Sequence, residues 1–172
     1  MSKLLLVVPT LSSYEAFLSD FSEAAMAAGH EVHVATRLAL LDGRSTEAHP
    51  SLKSGVQLHP ISMPRGANPI AALKAAKELR ALVSRIQPDW IQAHFSAAAL
   101  VCSLAKTRSW PFTGCIIQGL ACTLAKGKAR VAAWAGERLA MVRLDEMWVL
   151  TEDDFTVIKR WNSKKARLQQ SP

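Results

Sequence analysis

His94 closes the run Trp90-Ile91-Gln92-Ala93-His94, and an imidazole at the end of a strand can act as acid, base or hydrogen-bond donor near neutral pH. In an open α/β sheet the carboxyl ends of the strands face the ligand crevice, so a ring placed there can meet substrate. A second run, Phe112 to Ile117, ends in Gln118-Gly119, a carboxamide followed by a flexible residue. A competing reading has His94 held by a neighbouring carbonyl, with no substrate contact. His30, His33, His49 and His59 show no ligand spacing and read as structural. Asp89 lies at the far end of its strand and reads as a solvated turn residue.

The loop Pro9-Thr10-Leu11-Ser12-Ser13-Tyr14 follows the first strand and opens a helix. Loops in that position commonly approach a phosphate at the helix N-terminus. Ser12, Ser13 and Tyr14 are therefore candidates for substrate contact. The alternative is that the serines only cap the helix. The loop has no glycine, which argues against a self-contained NAD site.

These groups need elements to hold them. Leu4 to Val8 is an apolar, β-rich run. Apolar residues from Phe17 to Ala28 recur at helical spacing, with Gly29 as a C-cap. Glu31 to Thr36 alternates like a strand, 38–54 reads as a loop, and Val56 to His59 is a brief strand. Asn68 caps a helix that runs to Ile86, then come the Trp90 strand, a helix from Ser96 to Lys106, and the strand at Phe112. A helix from about Arg130 to Arg143 and a strand at Glu146 to Leu150 follow. Thr151 with Asp154 makes a capping-box-like start for the last helix, whose first turn carries Glu152 and Asp153. Strands alternating with helices predict an α/β, Rossmann-like, doubly wound parallel sheet. The expected domain covers 1–161, and 162–172 reads as a polar basic tail.

Composition narrows the function. The chain has 172 residues, 49% of them hydrophobic, which fits one domain with a full core. No apolar run approaches the ~20 residues of a membrane span. The formal charge of +7 reads either as ordinary solubility or as attraction to phosphate-bearing partners, but aromatics are only 6% and no nucleic-acid motif accompanies the charge, so nucleic acid is disfavoured. Cys102, Cys115 and Cys122 form no metal or disulfide pattern, and a reducing cytoplasm is their simplest setting. Hydrolase, zincin and P-loop motifs are absent. Lys126, Lys128 and Arg130 precede Val131 and Trp134 on one helix, and such basic residues can meet lipid phosphate at an anionic membrane surface. The bland alternative packs the apolar stripe of that helix on the sheet.

The order of these segments resembles the N-terminal domain of family-four, retaining GT-B glycosyltransferases, from about Leu4 to Trp161. Gly29-His30-Glu31-Val32-His33-Val34 looks like the family's G-H-E-V form, and Gly55-Val56 to Pro64-Arg65 with the Pro69 helix matches its third-strand region. Gln87-Pro88-Asp89-Trp90-Ile91-Gln92-Ala93-His94 looks like R-P-D-x-x-H-x-H, and Gln118-Gly119 stands where H-G is usual. Gly119 to Trp161, with Glu152-Asp153 after the next strand, is similar to members that build exopolysaccharide or capsule. The resemblance implies the acceptor-binding half of a transferase, a single half of a GT-B architecture. It implies a nucleotide-sugar donor held by a C-terminal domain or partner chain, and a lipid-linked or saccharide acceptor. It further implies no metal or cofactor, and a cytoplasmic location, peripheral on the inner membrane face. His94 is the one residue that carries over, as the catalytic candidate; Gln118 stands as a neutral donor in place of an imidazole, and Ser12, Ser13, Tyr14, Gly119 and Glu152 complete the substrate-binding candidates. Two histidines of the pattern are replaced here by Gln92 and Gln118, and Ser12-Ser13 replace its paired glycines. Without a donor domain the chain is expected to be inactive. A non-catalytic module that docks on a transferase partner or a membrane is the alternative.

Overall fold

The computed structural model describes residues 1–37, 55–66 and 68–169. The loop expected over 38–54 lies outside them. Seven strands form one all-parallel sheet: β1 (Lys3–Thr10), β2 (Glu31–Arg37), β3 (Gln57–Pro60), β4 (Trp90–His94), β5 (Phe112–Ile117), β6 (Glu146–Val149) and β7 (Ala166–Leu168). Their spatial order is β3-β2-β1-β4-β5-β6-β7. The winding reverses between β1 and β4, as in the doubly wound fold that the sequence predicts.

Seven described helices connect and flank the strands: α1 (Leu11–Phe17), α2 (Ser19–Ala27), α3 (Pro69–Ile86), α4 (Phe95–Ala105), α5 (Ala121–Leu124), α6 (Gly127–Arg143) and α7 (Glu152–Trp161). The helix read from Tyr14 onward is in fact two. The break falls at Leu18, whose φ of −133° lets its side chain drop into the core. The cap of α1 is Thr10 rather than Ser12 or Ser13: its side chain accepts from Ser13 N at 3.1 Å. Asn68 caps α3 and Thr151 caps α7 as expected. The polar stretch read as a tail holds a strand instead, for Met147, Trp148 and Val149 pair with Ala166, Arg167 and Leu168.

The pleat divides the sheet into two faces with different cover. On one, Leu5, Val7, Ile91, Ala93, Cys115, Ile117, Met147 and Val149 pack under α3, α4, α6 and α7. Small residues of α4, such as Ala98, Ala99 and Cys102, bring that helix close to the strands. On the other face, Leu6, Val8, Val32 and Val34 meet Leu11, Tyr14 and Leu18 of the first helical segment. That cover stops at β1. Trp90, Phe112, Ile116 and Trp148 continue the same face across β4 to β6 and belong to neither core cluster. Trp90 and Phe112 pack ring to ring at 4.4 Å, and Trp90 stays 45% exposed.

Candidate functional site

A cavity of about 340 Å³ lies at the carboxyl end of this half-covered face. Alternation along the strands sends Gln92 and His94 of β4, and Ile116 and Gln118 at the end of β5, into it. Phe17, Leu18 and Phe21 close it from the first helical segment, and Leu150 and Gln169 from beyond β6 and β7. Three carboxamides and one imidazole thus meet on an apolar floor. Ligand sites commonly have this make-up: apolar walls with a few convergent polar groups. Sequence reasoning paired His94 with Gln118. It missed Gln169, whose only route to the cavity is the β7 strand.

His94 is 3% exposed, and neither ring nitrogen has a hydrogen-bond partner. The competing reading, in which a carbonyl holds the ring, is therefore not what the structure shows. Burial pushes the imidazole pKa down to about 4, so the ring is neutral at physiological pH. A neutral imidazole carries one donor and one acceptor, and both of these nitrogens are buried here. The chain turns from β4 into α4 immediately after this ring, and Phe95 makes the turn at φ +69°, a left-handed conformation rare for an aromatic residue. The Phe95 ring lies edge-on to Phe17 at 5.8 Å. Such local strain persists only where surrounding packing enforces it, and it concentrates at functional sites.

The buried imidazole has a measurable consequence. Its proton is bound more tightly in the unfolded chain, where the pKa is near 6.5, than in the fold, where it is about 4. The stability that His94 permits is thus complete above pH 6.5 and is lost as pH falls toward 4. Over that window the loss is on the order of 3 kcal/mol. Urea unfolding at stepped pH checks this, and His94→Gln should flatten that part of the profile.

Behind the cavity a buried carboxylate holds the Gln118–Gly119 loop. Glu137 of α6 is 1% exposed. Its Oε1 accepts from Ser96 Oγ at 2.6 Å and Ala121 N at 2.7 Å, and its Oε2 from Cys122 N at 3.2 Å. One side chain so ties α4 and the start of α5 to α6. Gly119, at φ +154°, makes the bend between β5 and that clamp in a conformation that side chains disfavour. The signal for Glu137 was in the sequence: it is the lone acid on a helix face that otherwise carries Ala133, Ala140 and Met141 inward. Asp154 adds a second buried acid, accepting from Leu120 N at 3.4 Å.

The other sequence candidates separate from this site. Ser12 and Ser13 bond Thr10 Oγ1 at 3.1 and 2.7 Å, so both hydroxyls are engaged within the turn. Tyr14 is 1% exposed in the core, where burial raises its pKa, and does not face the cavity. Glu152 is exposed in the first turn of α7 and does not line the cavity. Lys126, Lys128 and Arg130 are exposed around the start of α6. Among the other histidines, His33 Nδ1 and His59 Nε2 lie 2.9 Å apart on β2 and β3, a structural pair, while His49 falls outside the described residues. Asp89 Oδ2 accepts from Lys3 N at 2.8 Å.

The three cysteines are free and buried. Burial pushes the thiols of Cys102 and Cys122 up to about 12 and that of Cys115 higher still. Iodoacetamide at pH 8 should therefore label none of them in the folded chain and all three in urea, as intact mass would show. No cluster of metal-ligating side chains stands among the described residues, and no described helix is long and apolar enough to cross a membrane.

Residues 14–172 match the sequence model of the glycosyl transferase 4-like domain. A search of curated proteins gave no match. Among solved structures, the chain is similar to sucrose-phosphate synthase from Thermosynechococcus elongatus (14% identity, TM-score 0.69, covering 98% of this chain and 47% of that one). It is also similar to the glycosyltransferase SsfS6 of Streptomyces sp. SF2575 (14%, TM-score 0.52, 100% and 55%). A third similar structure is a putative UDP-N-acetylglucosamine 2-epimerase from Listeria monocytogenes (11%, TM-score 0.67, 96% and 44%). The chain thus spans about half the length of these three. With the family match over nearly all of its residues, and a seven-stranded parallel sheet in a chain that superposes on these structures, the chain belongs to the glycosyl transferase 4-like family and has the Rossmann-like fold of the GT-B glycosyltransferases.

Proposed function

We propose that this chain is the acceptor-binding half of a retaining glycosyltransferase of the exopolysaccharide or capsule type. Such an enzyme moves a sugar from a nucleotide-sugar to a lipid-linked or polysaccharide acceptor. The carrying observation is the unpartnered, neutral imidazole of His94 in one cavity with Gln92 and Gln118. Sugar hydroxyls are both donors and acceptors, and this set of groups answers both. In this reading His94 orients the acceptor hydroxyl and strengthens its hydrogen bond as charge develops in the transition state. Gln118 supplies a neutral donor beside it.

Catalysis in this reading needs a donor-binding domain, from further chain or from a partner, facing the cavity. The glycine-free first loop, whose serines are engaged with Thr10, offers no clamp for donor phosphates. Incubating the 172-residue protein with a nucleotide-sugar and a lipid-linked saccharide should give no transfer, and a chain that carries a donor domain as well should give it. Robust turnover by the 172-residue protein alone would reject the reading.

A second reading, a non-catalytic module on an anionic membrane surface, has one observation in its favour. Leu124, Val131 and Trp134 are exposed beside Lys126, Lys128 and Arg130. The first turn of α6 has no acid, so its cations crowd the positive end of the helix dipole, an arrangement an external anion would relieve. Co-sedimentation with phosphatidylglycerol vesicles that is lost on Lys126→Glu and Lys128→Glu, in a full-length chain that never transfers sugar, would favour it.

A further inference from the structure

A second cavity, of about 530 Å³, opens at the carboxyl ends of β2 and β3. Arg37 is the last residue of β2, and Arg65 follows β3 by a short turn; both line the cavity. Arg37 Nη1 donates to Met63 O at 3.1 Å and to Pro64 O at 3.5 Å, which pins its guanidinium against the turn that carries Arg65. Its Nε is buried without a hydrogen-bond partner. Burial and the neighbouring charge of Arg65 lower the Arg37 pKa. The carboxylate on the cavity wall, Glu78, does not neutralise them. It accepts from Ser62 N at 2.6 Å and Ser62 Oγ at 2.9 Å, and among the described residues its ion pair is with Lys74 at 3.9 Å. Among the described residues no ion pair reaches Arg37 or Arg65.

Two guanidinium groups on one cavity repel, and an anion between them reverses the sign of that interaction. A carboxylate offers two oxygens and a single negative charge, whereas a phosphate monoester offers three terminal oxygens and up to two charges, a better match to two arginine forks. The cavity exceeds the size of one phosphate and leaves room for the group esterified to it. We propose that Arg37 and Arg65 form a phosphate-binding site that receives the phosphate of the acceptor. The identity of the ligand rests on the acceptor reading above; the site itself rests on the two arginines.

The test uses the 172-residue protein with no nucleotide-sugar. Inorganic phosphate should shift the Arg37 Nε–H resonance saturably, and Arg65→Gln should weaken binding about tenfold or more. Arg65 is exposed, so that variant folds even if Arg37→Gln does not. Acetate should bind more weakly than phosphate. Phosphatidylcholine vesicles that carry a polyprenyl phosphate should bind in an Arg65-dependent way if the phosphate is lipid-borne, and should ignore Arg65 if it belongs to a soluble acceptor. Absence of a saturable shift, or a shift of the Arg37 Nε–H resonance unchanged in the Arg65→Gln variant, overturns the site. Phosphate binding without transfer by a donor-equipped enzyme would leave the site standing and reject the transferase reading. Transfer that is indifferent to Arg65 and phosphate would do the opposite.

Discussion

His94→Leu is expected to stabilise this domain while abolishing sugar transfer by an enzyme that also carries a donor domain. The two effects have one cause. A buried polar group without a partner costs about 1–3 kcal/mol, and His94 buries both ring nitrogens in that condition. Leucine is of similar volume and has no polar atom to desolvate. It should raise the unfolding free energy by about 1–2 kcal/mol, read from urea midpoints at unchanged m-value. Losing a positioned imidazole should lower kcat/KM about a hundredfold or more. A leucine variant less stable than the parent would mean that the ring makes a stabilising contact in the fold. A variant that still transfers sugar at the parent rate would remove His94 from the mechanism.

Glu137→Ala should have the largest effect on folding. The carboxylate serves three donors on two other elements, and truncation leaves Ala121 N and Cys122 N without an acceptor. Removing a buried acceptor costs about 1–3 kcal/mol per stranded donor, so a loss of about 3 kcal/mol or more is expected. In a domain of this size that corresponds to a fall in Tm of about 10 °C. Hydrogen exchange at Ala121 and Cys122 should accelerate more than at β1 amides, because the clamp acts on the loop after β5. Glu137→Gln keeps one oxygen and should fall between the two. A Tm for Glu137→Ala within a degree or two of the parent would show that the loop holds without the clamp.

The sequence made the sheet legible because its strands are short β-rich runs between strong punctuation. Asn68 with Pro69, and Thr151 with Asp154, mark helix starts that the structure reproduces. Local pattern failed where tertiary contacts decide. Leu18 sits in an unbroken helical periodicity, yet burial against β1 and β2 splits the helix there. Ala166-Arg167-Leu168 has too few residues to show a period, and only the open edge of β6 makes it a strand. The site was half readable. Strand ends pointed to His94 and Gln118, whereas Gln169 and Leu150 join them through the order of strands in the sheet, which spacing along the chain does not encode. Ser12, Ser13 and Tyr14 were named from the position of their loop. The Thr10 cap and the core claim those side chains first.

The backbone at Phe95 also decides which mutations this turn can absorb. At φ +69° a valine, isoleucine or threonine is shut out by its own branched Cβ, while glycine and asparagine enter freely. A saturation library at position 95 would therefore rank its survivors by tolerance of left-handed backbone rather than by hydrophobicity, the reverse of the order found at ordinary interior positions such as Leu79.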